Sequence, residues 1–202
     1  GLSRRSAAHG IGHAAYLRAN PGDGEFLGHQ QHVDAQTLEL PDDWVRGNSV
    51  IGFQDLLGYQ LAPFTVYTGP VTDGTGYIVV IWGYEMMGSA GDEFVVGDET
   101  FGPYLDALRI LRLALLEPAC VVGTEPEREF ALGEFTVTGA NFSAEQCPET
   151  ADTRGWFLGT YQDGLNFAFY MFVEPMDVLP GDAALDIQAI LDTVEFTVDD
   201  FR

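Results

Sequence analysis

The stretch RGWFLGTYQDGLNFAFYMFV, residues 154–173, decides the fold of this chain. Two runs rich in aromatic residues flank Asp163-Gly164, a dipeptide typical of the two-residue type I′ turn, in which both central residues need positive φ. A turn at this point pairs Gln162 with Leu165 and sets the register of the whole hairpin. The predicted pairs are Thr160 with Phe167, Leu158 with Phe169 and Trp156 with Met171 on one face, and Tyr161 with Asn166, Gly159 with Ala168 and Phe157 with Tyr170 on the other.

Both faces of the predicted hairpin are apolar, and the pair of Gly159 and Ala168 leaves a gap that another element can approach closely. A strand pair that is apolar on both faces has to be covered on both sides. The hairpin is therefore predicted to lie inside the sheet of a layered α/β domain with helices on both faces, and not in the wall of a sandwich with one wet face.

Shorter patterns predict the remaining strands. They are expected at residues 37–40, 50–53, 60–67, 77–86, 120–122, 129–142 (two strands about Gly133) and 194–198. Residues 77–86 are almost continuously apolar, which again indicates burial on both faces of the sheet.

Two helices are predicted. The first runs from a cap at Asp98 or Thr100 to residue 117, with Pro103 in its first turn, and the second covers residues 182–192 with Asp182 as its cap. The side chains expected to be buried are Tyr104, Leu108, Leu111 and Leu115 in the first helix and Leu185, Ile187, Ile190 and Leu191 in the second. The side chains expected on a solvated face are Asp106, Arg109 and Arg112.

The composition is that of an acidic globular chain. The 202 residues are 46% hydrophobic and carry 31 acidic against nine basic residues, for a formal net charge of −22. This length suits one large domain, or one domain plus an arm. Nucleic acid and anionic lipid are excluded as partners because both need a basic surface. The acidity is typical of solubility in salt, and it would also suit a cation or a basic partner.

The two cysteines, Cys120 and Cys147, allow either one disulfide in an oxidising compartment or two inert thiols in a reducing one. We predict the disulfide, because it would tether the polar loop that precedes the hairpin. No window of 18 apolar residues exists, so no membrane-spanning segment is expected. Ser3-Arg4-Arg5-Ser6 is similar to a twin-arginine export signal, although polar residues interrupt the segment after it.

Motifs of catalysis are missing from the sequence. It contains no G-x-S-x-G elbow, no phosphate loop with lysine and no H-E-x-x-H pair. We therefore expect no catalytic residue, and a binding role in place of an enzymatic one. Asp92-Glu93 and Asp98-Glu99 are interpreted as solvated loop and cap residues, because their spacing fits no calcium loop.

Residues 1–35 are predicted to form an N-terminal arm ahead of a single domain at residues 36–202. The arm carries the only four histidines of the chain: His9, His13, His29 and His32. Their i, i+4 and i, i+3 spacings could present imidazoles to Zn²⁺, Cu²⁺ or Ni²⁺, and the alternative is a polar tether. The residues expected to dock the arm onto a protein partner or a second copy are Arg4, Arg5, Tyr16, Arg18, Phe26 and Leu27.

Several short motifs resemble the PsbP-like family over residues 36–198. They are Leu40-Pro-Asp-Asp-Trp44, the helix at 101–117 that leads into Val121-Val-Gly-Thr-Glu125, the aromatic hairpin, and Ile190-Leu-Asp-Thr-Val-Glu-Phe196. The resemblance implies a mainly antiparallel sheet between helices, an α/β/α sandwich. It also implies a protein that binds and stabilises other proteins. The arm and the missing lysines depart from the family, so no binding site is carried over.

These observations lead to one expectation and one alternative. The expectation is a secreted or cell-envelope accessory subunit, without a catalytic site or cofactor, that docks onto a protein partner or assembly. The alternative is a metal-binding protein, or a metal-dependent enzyme, that uses the arm histidines with a divalent transition metal.

Overall fold

A computed structural model of the chain describes residues 35–54, 58–85, 102–179 and 181–197. Ten strands and two α-helices follow one another in these ranges. They are β1 (Gln36–Thr37), β2 (Val45–Gln54), β3 (Tyr59–Val71), β4 (Gly74–Trp82), α1 (Pro103–Ile110), β5 (Val121–Thr124), β6 (Arg128–Leu132), β7 (Phe135–Glu145), β8 (Thr153–Gln162), β9 (Leu165–Glu174), α2 (Asp182–Leu191) and β10 (Glu195–Phe196). A π-helical turn, Leu111–Leu115, continues α1, and a 3₁₀ turn, Met176–Val178, precedes α2.

The hairpin predicted from residues 154–173 is confirmed. Strands β8 and β9 pair in the predicted register, from Gln162 with Leu165 to Trp156 with Met171. Asp163 and Gly164 both have positive φ, 47° and 95°, as the turn requires. The register is therefore the one that the turn dipeptide sets.

The hairpin lies inside a large antiparallel sheet. Its strand order is β2-β3-β4-β9-β8-β7-β5, and β6 also pairs with β7. Every pairing between neighbours is antiparallel, so the domain is of the α+β class with a mainly antiparallel sheet. No helix within the described ranges combines the length and the apolar character needed to cross a bilayer.

The two faces of the hairpin belong to two separate clusters of buried side chains. Phe157 and Tyr170 lie in one cluster together with Ile110 of α1. Leu158 and Phe169 lie in the other cluster, which also contains Ile187 of α2 and other residues of that helix. The predicted burial of both faces is confirmed, and each cluster contains side chains from one helix.

The small pair in the middle of the hairpin is where α1 approaches the sheet. A Cβ atom built at Gly159 would collide with the backbone carbonyl of Pro103, the first residue of α1. A larger residue would push the helix away from the strand. The gap predicted at Gly159 and Ala168 is thus filled by helix backbone.

Two of the predictions for the first helix are wrong. Its N-cap is Gly102, with no side-chain hydrogen bond, while Asp98 and Thr100 lie outside the described residues. Asp106 is only 1% exposed and not solvated. It lies four residues before Ile110, on the stripe that packs against the sheet, and its carboxylate is 3.8 Å from Nη1 of Arg109. The Pro103 start is confirmed.

The second helix also differs in part from its prediction. Its cap is Gly181 and not Asp182. Ile187, Ile190 and Leu191 are buried as predicted, but Leu185 is 67% exposed. The buried stripe includes Ala183 and Ile187, and a residue two positions after Ala183 points to the other side of a helix with 3.6 residues per turn.

The described part of the chain begins and ends at the same place. Strands β1 and β10 pair in a separate two-stranded sheet, with Gln36 opposite Phe196. The backbone N–H of Thr197 donates to the carbonyl oxygen of Ala35 at 2.9 Å. The predicted strands at residues 37–40 and 194–198 are therefore shorter in the structure than the sequence pattern suggested.

Candidate binding cleft

The site residues predicted in the arm lie outside the described residues. This holds for the metal candidates His9, His13, His29 and His32 and for the docking candidates Arg4, Arg5, Tyr16, Arg18, Phe26 and Leu27. The other predicted site, the pair of cysteines, lies inside them.

Cys120 and Cys147 form the predicted disulfide, with their Cα atoms 4.3 Å apart. The bond ties the segment after α1 to the loop before β8. Glu117 supports the same loop, because its Oε2 accepts hydrogen bonds from the backbone and the hydroxyl of Thr150. A Glu117 oxygen and the two sulfurs lie within 4.8 Å of one another. Sulfurs bonded to each other are not the thiolates that a metal requires, so this group is a structural tether.

A cleft of about 800 Å³ is lined by residues of the sheet and of α2. This volume is in the range of small-molecule sites. Strands β5, β6, β7 and β8 contribute to it, together with α2. Its lining includes Gly123, Glu125, Arg128, Glu129, Phe130, Asn141, Ser143, Arg154, Trp156, Leu179, Leu185 and Gln188.

A chain of hydrogen bonds holds Arg128 in place on one side of the cleft. Nη2 of Arg128 donates to Oδ1 of Asn141 at 3.1 Å, and Nδ2 of Asn141 donates to Oε2 of Glu125 at 2.7 Å. The guanidinium carbon of Arg128 also lies 4.3 Å from the centre of the Phe130 ring, a cation–π contact. These contacts preorganise the remaining N–H groups of Arg128 as donors.

Arg154 and Trp156 stand on the neighbouring strand. They are two residues apart on β8 and therefore point to the same face of the sheet. On the neighbouring strand β7, Ser143 pairs with Arg154 and Asn141 pairs with Trp156, so four polar or aromatic side chains are adjacent. Arg154 is half-buried. Trp156 is 7% exposed, and its buried Nε1 has no hydrogen-bond partner.

The charge of the cleft differs from that of the whole chain. Its lining holds Arg128 and Arg154 against Glu125 and Glu129, so the formal charges cancel, whereas the chain carries −22. A ligand with a single negative charge would meet two guanidinium groups here, whereas the rest of the acidic surface repels it. The side chains described as lining the cleft include neither histidine nor cysteine.

A second, smaller recess of about 590 Å³ lies beside Trp44. The indole of Trp44 packs on Gly69, where a Cβ would collide with the ring, and on Gly76, where a Cβ would be in tight contact with it. Its Nε1 donates to the carbonyl oxygen of Pro70 at 3.2 Å. The donor of this tryptophan is therefore satisfied, and the Leu40-Pro-Asp-Asp-Trp44 motif has a packing role.

The cleft was not predicted from the sequence, although Trp156 was placed correctly in the hairpin. Arg128 begins the short and mostly exposed strand β6, and Asn141 lies within β7 between the buried residues Ala140 and Phe142. Arg128 reaches Asn141 because β6 pairs with β7, and Trp156 lies opposite Asn141 because β8 pairs with the other side of β7. The signal that could have found the cleft is the Arg154-x-Trp156 alternation, which puts a cation and an indole donor on one face.

Comparison of the chain with protein-family models, with curated proteins and with solved structures finds no match. The residues that line the cleft supply donors that are held in place or buried without a partner, on a wall that also contains apolar side chains. Such an arrangement can bind a ligand that carries hydrogen-bond acceptors and an apolar part.

Proposed function

We propose that this chain is a binding domain without a catalytic site, which acts as an accessory subunit of a protein assembly. The observation that carries the proposal is the cleft of about 800 Å³, in which Asn141 links Arg128 to Glu125. A fixed polar network beside apolar side chains is typical of recognition sites.

The PsbP-like α/β/α sandwich belongs to the same proposal. It is supported by the mainly antiparallel sheet and by the two buried clusters, one with side chains of α1 and one with side chains of α2. We also propose a secreted or cell-envelope location. The disulfide between Cys120 and Cys147 supports it, because such bonds persist in oxidising compartments.

Docking of the arm completes the proposal. Residues 1–35 hold Arg4, Arg5 and Arg18, three of the nine basic residues of an otherwise acidic chain. Asp23, Glu25 and Asp34 balance these charges while the four histidines are neutral, so the arm becomes basic as the histidines are protonated. In that state it complements an acidic surface on a partner or on a second copy.

The test is affinity capture with the tagged full-length chain, followed by identification of the retained proteins and by metal analysis. Two variants accompany it. One removes the three arginine charges of the arm (Arg4→Gln, Arg5→Gln, Arg18→Gln) and the other blocks the cleft (Gly123→Val). We expect a stoichiometric partner whose retention falls in at least one variant. A partner retained equally by both variants would contradict the proposal, and stoichiometric metal without a partner would favour the histidine alternative.

A further inference from the structure

We infer that the cleft is a binding site for a small carboxylate ligand, in which Arg128 and Arg154 hold the carboxylate and the apolar wall holds the rest of the molecule. This inference rests on the proposed binding function and names the class of ligand.

The unpartnered indole of Trp156 is the first reason. The side chain is 7% exposed, and its Nε1 is buried without any hydrogen-bond partner. A buried donor left unpaired costs free energy that an acceptor can recover. Trp44 shows the contrast, because its Nε1 is paired with the carbonyl oxygen of Pro70. Among residues that line the cleft, Trp156 thus offers a donor that a ligand oxygen would satisfy.

The two arginines are the second reason. Arg128 is held by Asn141 and by the Phe130 ring, and Arg154 lies on β8 two residues before Trp156. A guanidinium group is a planar fork of donors whose geometry matches a carboxylate. Five arginines lie in the described ranges, and these two line the same cleft.

The acidic residues of the cleft decide between classes of anion. Glu125 and Glu129 line it as well. A phosphate monoester carries nearly two negative charges at neutral pH and loses more hydration on entering a partly apolar cleft than a carboxylate with one charge. Because two arginines and two glutamates leave no net positive charge to offset that cost, the lining favours a monoanion.

An exposed leucine indicates the apolar part of the ligand. Leu185 of α2 is 67% exposed and lines the cleft, together with Leu179 and Phe130. A ligand with an aliphatic or aromatic body would cover these side chains while its carboxylate reaches the arginines.

A substitution at Gly123, which lines the cleft, can close the cleft without disturbing the fold. Gly123 lies opposite Ser143 in the sheet, and a Cβ built on it would be 3.4 Å from Oγ of Ser143, an ordinary contact. Its backbone does not have the positive φ that would require glycine. Valine is therefore compatible with the strand and reduces the space of the cleft.

The experiment titrates the full-length chain with 4-phenylbutyrate, with the uncharged 4-phenylbutanamide and with phenyl phosphate at neutral pH. Calorimetry gives the affinity. The NMR signal of the Trp156 indole N–H, assigned with the Trp156→Phe variant, reports whether the ligand contacts this group. A tripeptide that ends in phenylalanine, with a free or an amidated C-terminus, distinguishes a peptide end from a free small molecule as the source of the carboxylate.

We expect 4-phenylbutyrate to bind about tenfold or more tightly than its amide and than phenyl phosphate, and to shift the Trp156 signal. Arg154→Gln and Arg128→Gln should each weaken binding about tenfold or more, and Gly123→Val should abolish it. Arg46→Gln is the matched control, because Arg46 lies on the edge strand β2 and outside the cleft lining. It should bind as the unmodified chain does.

Three results would overturn the inference. They are equal binding of the acid and the amide, unchanged binding in Arg154→Gln, and no binding of any carboxylate up to about 5 mM. None of these results would contradict the binding function itself. The capture experiment tests that function, and a partner whose retention depends on the arm would still support it. A variant that fails to fold is recognised by its unfolding curve, and the other arginine variant then decides.

Discussion

The hydroxyl of Tyr170 donates a hydrogen bond to the backbone carbonyl oxygen of Ala107 at 2.8 Å, joining the middle of the sheet to α1. Tyr170 is fully buried. Burial raises the pKa of Tyr170 well above its ordinary value, and Tyr84 and Asp106 add to the effect. The hydroxyl therefore keeps its proton, and the bond persists, through neutral and moderately alkaline pH.

Replacing Tyr170 by phenylalanine should lower the free energy of unfolding by about 1 kcal/mol. The cost is limited because the same carbonyl already accepts the N–H of Leu111. Chemical denaturation measures the change. Tyr161→Phe is the control, since Tyr161 is 54% exposed and should leave stability unchanged. Equal effects of both variants would contradict the tie between sheet and helix.

Trp156→Ala should lower the free energy of unfolding by about 3–5 kcal/mol, as is usual for a large buried aromatic side chain. Trp156 belongs to the buried cluster that includes Phe169 and Leu158. Leu185→Ala, on the exposed side of α2, should change the same quantity by less than about 0.5 kcal/mol. An unchanged denaturation midpoint for Trp156→Ala would show that the β8–β9 register is wrong.

Removal of the disulfide should lower the free energy of unfolding by about 3–4 kcal/mol on the chain-entropy account. Cys120 and Cys147 are 27 residues apart, so the bond restricts a loop of moderate length in the unfolded chain. Unfolding curves with and without reductant, and of the double variant Cys120→Ser with Cys147→Ser, measure the effect. Alkylation of the native protein before reduction should label neither cysteine; labelling of both would disprove the bond.

The contacts of Asp186 predict that the stability of the fold decreases in acid. Its Oδ2 accepts hydrogen bonds from the hydroxyl and from the backbone N–H of Thr72, both at 2.7 Å. These bonds lower the pKa of Asp186 below its ordinary value of 3.8. Because the folded-state pKa is below the unfolded one, the stabilisation is complete above about pH 3.8 and is lost as the pH falls through the folded-state value.

Asp186→Asn and Thr72→Val should therefore be less stable than the unmodified chain at neutral pH, and this difference should shrink in strong acid. The effect should stay below about 1 kcal/mol, since solvent screens an exposed carboxylate. Melting temperatures at neutral pH and below the pKa measure it. Glu195→Gln, an exposed acid outside this contact, is the control. A difference that does not change with pH would contradict the assignment.

Deletion of residues 1–34 tests the arm. If the arm docks as proposed, the truncated chain should lose assembly or partner binding, measured by light scattering. The loss should be larger at about pH 5.5 than at about pH 7.5, because protonated histidines add positive charge that faces an acidic surface. Identical assembly of both chains at both pH values would reduce the arm to a tether.

The central hairpin could be predicted from the sequence because its determinants are local. Asp163-Gly164 selects one turn, and the two-residue period then carries the register along both strands. The burial of individual helix residues was predicted less well. Leu185 was predicted to be buried and is exposed, whereas Asp106 was predicted to be solvated and is buried. The rotation of a helix about its axis depends on what it packs against and not on its own period alone.

The cleft could not be predicted, because its parts come from distant segments. Arg128 and Arg154 are held in separate strands on opposite sides of β7, and Leu185 arrives on α2. No residue spacing in the sequence indicates that these three side chains lie close together. Their proximity depends on the order of strands in the sheet, which the pattern of any single segment leaves undetermined.

The hydrogen bond between Thr197 and Ala35 has a topological consequence. The backbone enters and leaves the described domain through neighbouring residues of one small sheet, so the fold is nearly a closed loop. A domain of this kind can be inserted into a surface loop of a host protein with little distortion, and it tolerates circular permutation when new ends are opened at an exposed turn.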